Sequence, residues 1–146
     1  MEKGILLSIE SELASDVLPL IKLLNSLAMV RKELGEGAWV GFYVYSKKDD
    51  ALLLGPFQGS PACERIAIGK GVVGASFLEK EDIYVKDVHD FPGYISCDAG
   101  AKSEAVFYYE TAIFDIDSSM LDGLNPIDLE ILKEIGQLLY PLLSLL

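Results

Sequence analysis

Two thiols are the first candidates for chemistry in this chain of 146 residues. Cys63 and Cys97 are its only cysteines, and each ends a segment rich in glycine and proline that follows a strand-like run. Such loops present side chains, while the preceding strand holds them in place. Their separation of 34 positions excludes a Cys-x-x-Cys motif, and a single histidine argues against zinc. A redox pair and two inert core thiols are the alternatives that the spacing leaves open.

Acidic residues recur on one face of a predicted strand. In Phe114-Asp115-Ile116-Asp117 the side chains alternate, so both aspartates lie on the face opposite Phe114 and Ile116. Glu104 begins a neighbouring strand candidate, and pairing of the two strands would bring three carboxyl groups together. Like charges at close range force at least one group to keep its proton near neutral pH, and a protonated carboxyl can act as a general acid. The alternative is a solvated acidic edge.

An aromatic strand offers a wall for a small ligand. Within residues 39–45, Trp39, Gly41 and Tyr43 point to one face and the intervening residues to the other. The missing side chain at Gly41 would leave room for a ligand between the two rings. The alternative is that this face packs under a helix.

Two further motifs have structural explanations. His89 lies between Asp87 and Asp90, which favours a role in organising the loop over a role as catalytic base. Residues 69–74 match a dinucleotide-binding fingerprint superficially, but the strand-helix-strand context that gives the fingerprint its meaning is missing. We therefore predict a tight turn into a helix there.

The composition limits the classes of function. The net charge of −11 argues against nucleic acid as a partner, because that affinity comes largely from lysine and arginine. No run approaches the roughly 20 apolar residues of a membrane span, and the first residues lack the features of a signal peptide. We expect a cytoplasmic protein of one domain, residues 1–146, that does not contact a membrane.

The hydrophobic periodicity predicts the elements that must position these residues. An amphipathic helix over residues 11–34, with Pro19 as a kink or restart, precedes the aromatic strand. Further strands are predicted at 51–54, 65–68, 83–85, 104–108 and 111–116, and further helices at 71–81 and from Pro126 onward. This order favours an α+β fold, with a central antiparallel sheet and the N- and C-terminal helices packed on one face.

Several motifs together resemble one protein family, in order and in spacing, over nearly the whole chain. They are Trp39-Val40-Gly41-Phe42-Tyr43, Leu54-Gly55-Pro56-Phe57-Gln58-Gly59, Pro61-Ala62-Cys63, Gly69-Lys70-Gly71-Val72-Val73-Gly74, Asp87-Val88-His89, Cys97-Asp98, Ser103-Glu104 and Asp115-Ile116-Asp117-Ser118. On these motifs the chain resembles the free methionine-(R)-sulfoxide reductases, which are small GAF-domain proteins. The resemblance implies a GAF-like fold and an oxidoreductase that uses cysteines and no bound cofactor or metal.

The resemblance also implies a role for each candidate residue. Cys97 matches the family's nucleophile and Cys63 its resolving cysteine, while Glu104 and Asp117 take part in catalysis. The pocket for free methionine sulfoxide is lined by the residues matching Trp39, Tyr43, Glu104, Asp115 and Asp117. In this cycle a thiolate attacks the sulfoxide sulfur while a carboxyl protonates the departing oxygen. Cys97 becomes a sulfenic acid, Cys63 converts it to a disulfide, and a dithiol such as thioredoxin reduces that disulfide.

An alternative from another class is a GAF-type small-molecule sensor that lost catalysis. The second cysteine discriminates between the two, because a sensor has no use for a resolving thiol. The apolar tail at residues 141–146 suggests a homodimer contact, although core burial explains it equally well.

Three features depart from the family. Val73 stands where many members carry a third cysteine, so Cys63 must resolve alone. Tyr94 stands where the family often has histidine. Between the strand candidates at 104–108 and 111–116 the connection is too short for an ordinary antiparallel turn, which predicts that a longer turn is missing from this sequence.

Overall fold

An antiparallel sheet of six strands forms the centre of the computed structural model, which describes residues 1–97 and 99–146. The strands are β1 (Trp39–Ser46), β2 (Ala51–Gln58), β3 (Arg65–Ala67), β4 (Ile83–Val85), β5 (Ser103–Tyr109) and β6 (Ala112–Ser118). Their order across the sheet is β3-β2-β1-β6-β5-β4, and every neighbouring pair runs antiparallel. The predicted antiparallel sheet is confirmed, with β1 and β6 at its centre.

Helices cover both faces of this sheet. They are α1 (Gly4–Leu13), α2 (Pro19–Leu34), α3 (Gly71–Glu79) and α4 (Pro126–Leu139), with short 3₁₀ helices at Val88–Asp90 and Tyr140–Leu145. The terminal helices α1, α2 and α4 share one apolar core, which confirms their predicted packing on one face, while α3 packs on the other. Among the described residues no helix is long and apolar enough to cross a membrane.

Side-chain alternation along the central strands creates two cores. Phe42 of β1 stacks on Phe114 of β6 with ring centroids 4.7 Å apart, and both rings lie under the terminal helices. Trp39 and Tyr43 point the other way and pack with Val72 and neighbouring residues of α3. The predicted division of faces is therefore confirmed on both strands.

The predicted helix over residues 11–34 is two helices, as the restart at Pro19 allows. Pro19 begins α2, where its missing N–H removes no helical hydrogen bond. The first helix begins at Gly4, earlier than predicted, and buries Ile5 and Ile9. Val17, which the helical pattern included, lies in the connection and is 42% exposed.

Strand β2 continues past the glycine and proline that were expected to end it. A bulge absorbs them, because Gly41 pairs with Phe57 while Tyr43 pairs with Leu54. Proline is tolerated at such a bulge, where the strand gives up a ladder hydrogen bond. Phe57 thereby reaches the face of Trp39, on whose ring it stacks at 5.2 Å.

The connection between β5 and β6 is long enough for an antiparallel hairpin. Tyr109 pairs with Ala112, so Glu110 and Thr111 form a two-residue turn. The expectation that the connection is too short for an antiparallel turn is wrong, because β6 begins at Ala112, one residue later than predicted. That a longer turn is missing from the sequence stays a prediction.

Gly41 is required by packing. A Cβ at this position would lie 2.8 Å from Cη2 of Trp39 and 2.9 Å from Cα of Phe57, and it would also clash with Cβ of Phe57. The expectation that Gly41 leaves room for a ligand is wrong, since Phe57 and the edge of the indole ring fill that space.

We predict that Gly41→Ala lowers the free energy of unfolding by about 1 to 3 kcal/mol, the range for overpacking a close-packed core. Urea denaturation followed by tryptophan fluorescence measures the change. Gly4→Ala is the matched control, because nothing lies within 4 Å of a Cβ built there. Equal stability of the two variants would contradict this account of Gly41.

Candidate active site

A cavity opens on the α3 side of the sheet, below the loops that carry the cysteines. It contains about 410 Å³ of space not occupied by atoms, part of which is open to solvent. Six of the predicted site residues line it: Trp39, Tyr43, Cys97, Glu104, Asp115 and Asp117. The seventh, Cys63, is bonded to Cys97, so the fold brings the whole predicted set together.

Two aromatic rings of β1 form one wall of the cavity. Trp39 and Tyr43 are each 1% exposed, and their rings stack with centroids 6.0 Å apart. The indole N–H of Trp39 donates to the carbonyl of Ser60, and the hydroxyl of Tyr43 donates to the carbonyl of Cys63, both at 2.9 Å. This face of β1 packs partly under α3 and partly lines the cavity. Packing under a helix and forming a cavity wall, the two alternatives for this face, therefore each hold in part.

Three carboxyl groups lie beside these rings on the same face of the sheet. Glu104 of β5 pairs with Asp117 of β6, and Asp115 follows two residues away on the same face. They are 6%, 8% and 4% exposed respectively, so the alternative of a solvated acidic edge is wrong. Burial raises the pKa of Glu104 well above its ordinary value, and the charges and hydrogen bonds of Asp115 and Asp117 raise it further. Glu104 is therefore the group suited to retain a proton.

The three carboxyl groups could bind a hard cation, because one oxygen from each lies within 4.8 Å of the others. A calcium ion uses about six to eight oxygen ligands, however, and three side chains provide only part of that number. A protonated amino group needs just a few acceptors. The three carboxyl groups can therefore also accept hydrogen bonds from an ammonium group.

The cysteines form a disulfide at the edge of the cavity. Their Cα atoms are 5.2 Å apart, within the usual range for such a bond. Cys63 lies on the loop between β2 and β3, Cys97 follows the 3₁₀ helix at Val88–Asp90, and both side chains are half-buried. The alternative of two inert core thiols is wrong, and the structure represents the oxidised state of a pair.

The remaining motifs have the structural roles that the sequence favoured. Asp87 accepts hydrogen bonds from the backbone N–H and the ring of His89, both at 3.0 Å, which lowers its pKa and organises the loop. Gly69 and Gly71 have φ angles of +83° and +62° in a tight turn into α3. Neither His89 nor a nucleotide-binding strand-helix-strand unit contributes to the cavity.

Lys70 is a cavity residue that the sequence interpretation missed. Among the described residues it is the only basic side chain that lines the cavity, which three carboxyl groups also line. The sequence interpretation treated the glycine-rich turn around Lys70 as purely structural. A basic residue presented by a tight turn was nevertheless a signal that it could contact a ligand. Tyr94 and Val73, the two departures from the family pattern, also line the cavity. Asp98 of the Cys97-Asp98 motif lies outside the described residues.

Similar proteins provide an independent comparison. No protein-family model matches this chain. It is 36% identical over 121 residues to the free methionine-R-sulfoxide reductase of Escherichia coli, a match that covers 80% of this chain and 72% of that protein. Among solved structures it is similar to the free methionine-R-sulfoxide reductase of Neisseria meningitidis in complex with its substrate, with a TM-score of 0.85, 32% identity, and coverage of 96% and 86%. A solved GAF domain gives a TM-score of 0.81 at 34% identity, with coverage of 94% and 84%.

We predict that Glu104 makes stability fall as pH rises. Its folded-state pKa is raised, so above its ordinary value of 4.5 the folded protein holds a proton that the unfolded chain has lost. Stability then declines, by at most about 1.4 kcal/mol per pH unit, until the folded-state pKa is passed. Glu104→Gln removes this decline. The free energy of unfolding of the variant, measured by urea denaturation, should therefore rise relative to that of the wild type as pH increases.

Glu110→Gln is the matched control, because Glu110 is exposed on the β5-β6 turn. Its stability curve is expected to run parallel to that of the wild type at all pH values. Parallel curves for Glu104→Gln and wild type would show that the carboxyl of Glu104 does not retain its proton on folding.

Proposed function

The chain belongs to the free methionine-(R)-sulfoxide reductase family, and from this membership we propose that it reduces free methionine (R)-sulfoxide to methionine. It is an oxidoreductase acting on sulfur, and its sheet and helices form a GAF-like fold, as predicted. The observation that carries the proposal for this chain is the Cys63–Cys97 disulfide at the edge of a cavity with aromatic and acidic walls.

The walls of the cavity suit a free amino acid. Trp39 and Tyr43 offer apolar surface to the S-methyl end, and the carboxyl cluster accepts hydrogen bonds from an ammonium group. Lys70 offers the opposite charge to an α-carboxylate. A methionine inside a peptide has neither charged group, which supports a free amino acid as the substrate.

In the proposed first step, the sulfur of Cys97 attacks the sulfoxide sulfur. The sulfur–oxygen bond of the substrate breaks as the oxygen moves to Cys97, and the transient bond between the two sulfur atoms breaks to release methionine. The oxygen is transferred to Cys97, so the thiol is oxidised to a sulfenic acid while the sulfoxide is reduced to methionine. The departing oxygen needs a proton at the moment of transfer, and Glu104, hydrogen-bonded to Asp117, is the proposed donor.

The proton on Glu104 also reduces the electrostatic repulsion that a thiolate at Cys97 would meet. Neighbouring carboxylates disfavour formation of a thiolate at Cys97, because like charges at close range raise the pKa of a thiol. A cluster in which Glu104 keeps its proton carries one negative charge fewer. The proton of Cys97 can then replace the one that Glu104 donates, so the net charge of the site stays constant through the step.

In the proposed second step, the thiol of Cys63 attacks the sulfenic sulfur of Cys97. A disulfide forms, and the oxygen leaves as water with one proton from each partner. An external dithiol then reduces the disulfide, and thioredoxin stays the predicted reductant.

The homodimer contact at residues 141–146, the single domain and the cytoplasmic location also stay predictions. The non-catalytic sensor is the weaker candidate, because it has no use for two cysteines joined at the cavity.

The decisive experiment incubates the reduced protein with each epimer of free methionine sulfoxide and a dithiol, and measures the methionine released. We expect turnover of the R epimer alone. Cys97→Ser removes the nucleophile, so we expect activity to fall to background. No turnover of the R epimer by the wild-type protein would falsify the proposed function.

Cys63→Ser is the matched variant of this experiment. Without a resolving thiol the enzyme should release about one methionine per chain and then stop when thioredoxin is the reductant. Full thioredoxin-dependent turnover by Cys63→Ser would show that the resolving role is assigned to the wrong residue.

We predict that Lys70→Met raises KM for free methionine sulfoxide about threefold to tenfold, since it removes a partly exposed charge-assisted contact to the substrate carboxylate. The effect should disappear with methionine sulfoxide amide, which lacks that carboxylate. Lys48→Met is the control, because Lys48 lies in the exposed turn between β1 and β2. An equal rise in KM for acid and amide would exclude a carboxylate contact at Lys70.

A further inference from the structure

The loop that carries Cys63 is attached to the cavity wall at two points. This loop connects β2, which ends at Gln58, with β3, which begins at Arg65. Near its start, the carbonyl of Ser60 accepts a hydrogen bond of 2.9 Å from the indole N–H of Trp39. At the cysteine itself, the backbone carbonyl accepts a hydrogen bond of 2.9 Å from the hydroxyl of Tyr43. Both donors come from one face of β1, at the centre of the sheet.

The surroundings make this attachment firm. Gly59 has a φ of +140° and approaches the indole so closely that a Cβ would lie 2.6 Å from Cδ1 of Trp39. The backbone N–H of Leu54 donates to the carbonyl of Glu64 at 2.9 Å, which closes the loop behind the cysteine. The loop therefore lies directly against a buried ring and is held on both sides of Cys63.

The donor at Tyr43 is present at every physiological pH. Its ring is buried, and both burial and the charges of Asp115, Asp117 and Glu104 raise the pKa of the hydroxyl above its usual range. The hydroxyl thus keeps its proton and cannot become a phenolate that would repel the carbonyl of Cys63.

We propose that Tyr43 and Trp39 are positioning residues for the resolving step, holding the backbone of Cys63 where its thiol can reach a sulfenic acid on Cys97. This inference rests on the proposed function and extends it, because it gives the two aromatic residues a second task besides forming the substrate wall. Disulfide formation needs the two Cα atoms within about 4.4 to 6.8 Å. A loop fixed at that distance converts an encounter between two mobile segments into a reaction of preorganised groups.

The test separates the two steps of one turnover. Reduced Tyr43→Phe, which keeps the ring but loses the hydroxyl donor, is mixed with excess methionine (R)-sulfoxide and quenched at intervals. Released methionine reports the first step, and loss of free thiols reports disulfide formation. We expect disulfide formation to slow about threefold to tenfold, the effect of losing one buried hydrogen bond, and to slow more than methionine release. Sulfenic acid should accumulate and be trapped by a 1,3-diketone reagent.

Two further variants complete the design. Trp39→Phe removes the other donor and should also slow disulfide formation more than methionine release, which provides the test if Tyr43→Phe fails to fold. Tyr45→Phe is the matched control on the same face of β1, since its hydroxyl bonds the exposed turn at Asp50. It should match the wild type in both steps. Equal slowing of the two steps in both donor variants, or unchanged disulfide formation, overturns the inference.

A second arm is independent of the proposed function. Hydrogen peroxide oxidises a reactive thiol to a sulfenic acid without any methionine sulfoxide, and formation of the Cys63–Cys97 disulfide is then followed directly. If the wild-type protein fails to reduce methionine sulfoxide, the proposed function fails, while this arm still measures whether Tyr43→Phe slows disulfide formation. Wild-type rates in Tyr43→Phe and Trp39→Phe overturn the positioning role in this arm.

Discussion

The register of β6 between its two neighbours is the constraint on which the rest of the site depends. Asp117 lies opposite Trp39 on one side and opposite Glu104 on the other, so one row across the sheet joins an aromatic wall to an acidic one. Since side chains alternate along a strand, a slip of one residue would turn both aspartates into the apolar core. The antiparallel pairing at the centre of the sheet therefore determines the cavity's chemistry before any loop is placed.

Burying three carboxyl groups is costly, and the fold offsets this cost on the opposite face of the same strands. There, Phe42 and Phe114 stack under the terminal helices and belong to a continuous apolar core. Such burial stabilises the sheet independently of what its other face carries. The acidic face can consequently keep its carboxyl groups buried, and that burial keeps the proton on Glu104.

The loops then add a disulfide to the edge of this cavity. Cys63 is attached to the rigid wall through Tyr43, whereas Cys97 belongs to a separate segment that follows the 3₁₀ helix at Val88–Asp90. The disulfide joins these two segments at the edge of the cavity that the carboxyl cluster also lines. The aromatic rings and the backbone of Cys63 are thus connected through β1, which also pairs with the strand that carries Asp115 and Asp117.

The sequence by itself determined the α+β class and the two faces of β1 and β6, and it singled out seven candidate site residues that the fold brings together. Alternation and motif spacing are properties of the chain alone. It failed where the outcome depended on contacts between distant segments. The bulge that lets β2 pass Pro56, the ring that fills the space at Gly41, and the two-residue turn at Glu110 all depend on partner strands.

Only the tertiary structure decided how the site residues meet. It placed Lys70 at the cavity, joined the two cysteines, and directed the hydroxyl of Tyr43 at the carbonyl of Cys63. The burial that raises the pKa of Glu104 likewise exists only after strands and helices have excluded water. Residue types and their periodicity are local properties, whereas distance, desolvation and hydrogen-bond geometry arise from the packing of segments that are far apart in the chain.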